Sequence, residues 1–114
     1  MNSNEAVETI ELSIKQAQVY VNKMDSVYSL IKNKDFINVI EEGYFKEEAS
    51  RLVLLKADPT MQKPDDQVML NKSIDAIGYF RQYLSNTIQM GRMMEKSILS
   101  DQEMRQEILA EGEE

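Results

Sequence analysis

The densest grouping of chemically capable side chains is Phe36-x-x-Val39-Ile40-x-x-Gly43-Tyr44-Phe45-x-x-Glu48-Ala49-x-Arg51-Leu52. Glu48 and Arg51 stand three residues apart, which lets a carboxylate and a guanidinium pair on one helical face. Tyr44, Phe45 and Arg51 are residue types that anchor protein interfaces. The chemistry this set offers is recognition, with two aromatic anchors and a charged contact around a glycine. The competing reading places Phe36, Ile40, Phe45 and Leu52 in a core and leaves Glu48–Arg51 as a surface pair. Glu41-Glu42 and Glu47-Glu48 invite a metal or acid–base reading. Helical carboxylate sites draw glutamates from facing helices, usually with Glu-x-x-His. The chain has no histidine, and its second long helical segment supplies only Asp75 and Glu95, so these pairs read as a solvated face. Met90, Met93 and Met94 surround Gly91. Methionine is adaptable and over-used at binding surfaces. Met94 falls on a core seam by spacing, whereas Met90 and Met93 fall off it and read as an oligomer or partner contact.

Composition narrows the chemistry further. The chain has no cysteine, which excludes disulfides, thiolate metal sites and cysteine nucleophiles. Without histidine it also lacks the commonest general base and transition-metal ligand. Four glycines leave no phosphate-cradling loop, and no Gly-x-Gly-x-x-Gly or P-loop lysine is present. The expectation is a protein that is not an enzyme, with no cofactor and no metal. Thirteen basic against twenty acidic groups give a net charge of −7, which argues against a nucleic-acid partner. Residues 68–100 are net basic, while the excess acidity lies between 34 and 67 and beyond 100. No apolar run reaches the length of a membrane span, and Asn2, Asn4, Glu5 and Glu8 stand where a signal peptide would have its basic and apolar regions.

These residues must be positioned by helices. The 114 residues suffice for one domain, and two prolines and four glycines are too few for a turn-rich sheet protein. Val7, Ile10, Ile14, Ala17, Val21, Met24, Tyr28 and Ile31 follow one another at alternating steps of three and four, a seam along one side of a helix over 1–32. Ser3 or Asn4 is its expected cap. Leu12, Val19, Val27 and Leu30 form a second stripe, wider than a two-stranded seam requires. Residues 33–57 read as short helices started by Asn33 or Asp35. Gly43 ends the first of them in a left-handed conformation, or else an unbroken helix runs through it. Residues 58–66 hold both prolines and read as a loop. Asp65 or Asp66 starts a helix over 67–99 whose seam is Leu70, Ser73, Ile77, Phe80, Leu84, Thr87, Gly91, Met94 and Ile98. Ser100-Asp101-Gln102-Glu103 has the form of a capping box and starts a separate short helix and acidic tail over 100–114. Gly-Tyr-Phe occurs at 43–45 and again at 78–80, which reads as coincidence rather than duplication. The predicted fold is all-α, with two long antiparallel helices and short intervening ones.

The segment from Asp35 to Leu55, about a fifth of the chain, resembles a pattern in small helical proteins of tailed bacteriophages. There, an F-x-x-V-I-x-x-G-Y-F-x-x-E-A-x-R-L stretch lies between two helical arms. The resemblance implies a viral origin and a location in the host cytoplasm or the virion, and it leaves virion component, assembly factor and early host-directed protein open. The function expected is a protein–protein interaction role, as a phage structural or assembly component acting through helix packing. The alternative is an acidic inhibitor of a host enzyme that mimics nucleic acid, against which the basic stretch 68–100 counts. Self-association is expected through Leu12 and Val19 on the first helix, whose second stripe exceeds what one partner helix covers. No membrane partner is expected.

Overall fold

Residues 3–32 contain neither glycine nor proline and carry the apolar seam without a break. A computed structural model describes residues 2–112, and its elements are all helical, with no strand among the described residues. Helix α1 spans Ser3–Lys32 and α4 spans Pro64–Gly112, with α2 (Lys34–Phe36), a π-helical run (Ile37–Glu48), α3 (Ala49–Lys56) and a 3₁₀ turn (Pro59–Met61) between them. The cap of α1 is Asn2, one or two residues before the predicted positions. Its Oδ1 accepts from the Glu5 amide at 2.8 Å, and the Asn2 amide donates back to the Glu5 carboxylate. Asn33 caps α2 by accepting from the amides of Asp35 and Phe36 at 3.0 and 3.1 Å. Asp58 caps the 3₁₀ turn, and its Oδ1 accepts from the Thr60 amide at 2.8 Å. From the predicted loop and from the residue just after it, the Gln62 and Gln67 side-chain amides both donate to the Lys56 carbonyl, which satisfies an end of α3. Proline tolerates the first helical position, and Asp65 and Asp66 then favour the positive end of the dipole, so α4 begins at Pro64.

Two breaks that the sequence allowed are absent, and at Gly43 the unbroken alternative holds. The backbone runs helically through Gly43, and no glycine among the described residues takes a positive φ. Apolar Phe36, Ile40, Phe45 and Ala49 are spaced four, five and four apart. That is wider than the 3.6-residue α period. A π-helix bonds each amide to the fifth residue back and makes about 4.4 residues per turn, which keeps these side chains on one face. All four are half-buried. Gly43 sits mid-run, where an added Cβ would lie 3.3 Å from the carbonyl oxygen of Asn38, five residues back. The second absent break is at Ser100. The seam continues through Ile98, Asp101, Arg105 and Ile108, all half-buried, and no Gly or Pro interrupts it, so α4 passes straight on.

The described residues group into two compact units, one holding α1 to Tyr28 with α4 from Asn86, the other holding residues 29–85. In the first unit α1 packs against α4 in antiparallel fashion. Glu11 meets Arg105, the Ser13 hydroxyl donates to Asp101 at 2.8 Å, and Met24 lies against Gly91. Its buried side chains on α1 are Ile10, Ala17, Met24 and Val27. The predicted second stripe therefore splits, with Val27 buried and Leu12, Val19 and Leu30 exposed. In the second unit Leu52, Leu70 and Ile77 form the core, with Tyr44, Phe45, Ala49, Leu55, Met61 and Ile74 packed around it.

Candidate interaction surface

The recognition constellation lies on the π-helical run and α3, in the second unit. The wide π turn sets Tyr44 and Phe45 against Phe80, with ring centroids 6.3 and 5.4 Å away, and against each other at 6.1 Å. The Arg81 guanidinium stands 5.7 Å over the Phe45 ring. Tyr44 and Phe45 are half-buried on the Leu52–Leu70–Ile77 core. The two Gly-Tyr-Phe segments thus meet through Phe45 and Phe80. The Arg51 Nε donates to Glu48 at 2.9 Å, and this bond holds the Glu48 carboxyl below its ordinary value and Arg51 above it. The pair is solvent-facing and worth little to stability. Lys46 bonds Glu42 at 2.9 Å, which raises the lysine.

No ionisable side chain is buried among the described residues, and none of their acidic groups gathers three or more potential metal ligands. Perturbed catalytic groups are made by burial and close charges. Here each resolved shift has a side-chain hydrogen bond to a residue two to four positions away as its main cause. No described helix is long and apolar enough to cross a membrane.

What the surface does offer is apolar. In the first unit Leu12 and Val19 are 55% and 61% exposed, and Met90 and Met93 are 40% and 59% exposed. Val19, Tyr20, Ser13, Gln16 and Ala17 line an open groove with Met94. Leu99, Met104 and Leu109 extend the exposed set along α4. In the second unit Val53 and Leu54 edge one shallow groove, and Val68 and Met69 another. The predicted site residues therefore fall into two groups. Tyr44, Phe45, Glu48 and Arg51 are together in the second unit, while Leu12, Val19, Met90 and Met93 are in the first. Sequence reasoning missed Met104, because it assigned the chain beyond 100 to a separate element, and it missed Leu99, which lies inside the predicted 67–99 helix but off its seam. For Met104, its spacing of eleven residues, about three turns, from Met93 on an unbroken helix was the available signal. No family model, curated protein or solved structure matches the chain.

Proposed function

We propose that this chain is a non-enzymatic interaction protein that works through helix packing against another protein, without cofactor, nucleic acid or membrane. The observation that carries this is the array of large apolar side chains left exposed on the long helices, with Leu12, Val19 and Leu99 in the first unit alone. Exposed apolar surface arranged along helices supports a docking role. The resemblance of Phe36–Leu52 to a phage segment supplies the setting, a structural or assembly component found in the host cytoplasm or the virion. The test is cross-linking of the full chain in infected cells followed by identification of its partners. Capsid or tail proteins, lost when Leu12→Glu and Val19→Glu are combined, are the expected result. A host polymerase or nuclease as the sole partner overturns the assembly reading in favour of an inhibitor. Turnover of any substrate by the purified chain overturns both.

A further inference from the structure

The continuity of α4 through Ser100 aligns residues that a break would have separated. Met90, Met93, Ser97, Ser100, Met104 and Glu107 follow at steps of three, four, three, four and three, which is a heptad seam. It is a different seam from the one that meets α1, which uses Gly91, Met94, Ile98, Asp101 and Arg105. Met93 and Met104 are 59% and 49% exposed, and Ser100 is exposed. We propose that this face of α4 binds the same face of a second copy of the chain, antiparallel, with Ser97 of each copy opposite Ser100 of the other.

Charge selects this occupant and this direction. About the Ser97–Ser100 midpoint, an antiparallel pair sets Met93 of each copy against Met104 of the other. The flanking positions then bring Lys96 of each copy to Glu103 of the other, twice by symmetry. Lys96 and Glu103 are exposed and have neither an ion pair nor a hydrogen bond among the described residues. They are seven residues apart, two helical turns, and cannot reach one another within a chain. The wider charge distribution agrees. Arg92, Glu95 and Lys96 make 86–100 net basic, whereas Asp101, Glu103, Arg105, Glu107 and Glu111 make 101–112 net acidic. Antiparallel pairing sets these stretches against each other, and parallel pairing would stack acid on acid. The serines at the midpoint are small enough for the two helices to approach, and methionine on both sides fills the space adaptably. The proposal goes beyond the partner-docking role, since it concerns the chain's own oligomeric state.

Sedimentation of the full chain tests it. The parent is expected to dimerise at micromolar concentration. Lys96→Glu and Glu103→Lys, each alone, replace two attractions by two repulsions and should weaken the dimer by about tenfold or more. Mixing the two variants restores both attractions in an antiparallel heterodimer, so the mixture should dimerise like the parent. Circular dichroism of each variant controls for folding, and both positions are exposed. A monomeric parent at 100-fold higher concentration overturns the proposal. So does a parent dimer that neither charge variant weakens, or variants that stay monomeric when mixed. None of these failures bears on capture of a phage protein.

Discussion

Gly91 and Gly78 are both mid-helix glycines on α4, yet their surroundings give opposite predictions. A Cβ at Gly91 would run into Cγ and Sδ of Met24 at 2.8 and 2.7 Å, so the α1 and α4 backbones of the first unit must separate to admit it. Gly91→Ala should destabilise by about 1–3 kcal/mol through overpacking, despite the better helix propensity of alanine. Nothing lies within 4 Å of a Cβ at Gly78, so Gly78→Ala should stabilise by up to about 1 kcal/mol. Paired thermal melts read both signs in one experiment. Acid titration follows from two exposed carboxyls. The Arg51 bond lowers Glu48, and the Thr60 side-chain and backbone bonds lower Asp58. Groups depressed on folding contribute stability above their unfolded values and lose it as pH falls through the folded ones. The loss should begin below the ordinary values of 4.5 and 3.8, and residue-resolved NMR should place both midpoints beneath them. Asp58→Ala should lower the melting temperature as a lost cap and abolish the second titration.

At the scale of elements, legibility in the sequence tracked periodicity. The seam on α1 was readable because eight apolar positions repeat at three and four, and all eight are buried or half-buried. The π-helical run was not readable, because the usual patterns test periods of 3.6 and 2, and steps of four and five fit neither. Gly43 then looked like punctuation, although its role is to sit where the fifth carbonyl back comes close. The capping-box pattern at Ser100 failed for another reason. A cap forms only where the helix starts, and the continuing seam bound Asp101 to Ser13 instead. Of the recognition set, the Glu48–Arg51 pair followed from spacing alone, whereas the contact of Phe45 with Phe80 needed tertiary structure. The π run contains no fully buried residue. Hydrogen exchange should therefore open amides of 37–48 well before those around Ile10–Val27, where four side chains are buried. Equal protection in the two segments would contradict this packing account.

For the whole molecule, the fold class was legible because composition left few alternatives and the helical periods were long. The two-unit grouping was not, since it depends on which long-range contacts form and not on any linker. A net charge of −7 and a pI near 4.6 give the molecules a mutual repulsion at neutral pH that opposes unspecific aggregation and that only a charge-complementary contact offsets. Solubility should fall to a minimum near pH 4.6 and recover on either side, as light scattering across a pH series would record. Melting should be indifferent to chelators, since no described cluster gathers three metal-ligating groups. A melting point lowered by EDTA would show a structural ion.

The close approach at Gly91 also bears on how the first unit finds its alignment. Heptad seams are nearly self-similar, and sliding one helix past the other by seven residues still matches apolar to apolar. Such a slip would bring Leu84 or Ile98 to the place that Gly91 holds beside Met24, and neither leaves room for it. The notch thus acts as a key cut for one tooth. It adds an energy gap between the native register and its periodic impostors, which apolar patterning alone does not provide. Filling it would cost fidelity of pairing as well as stability.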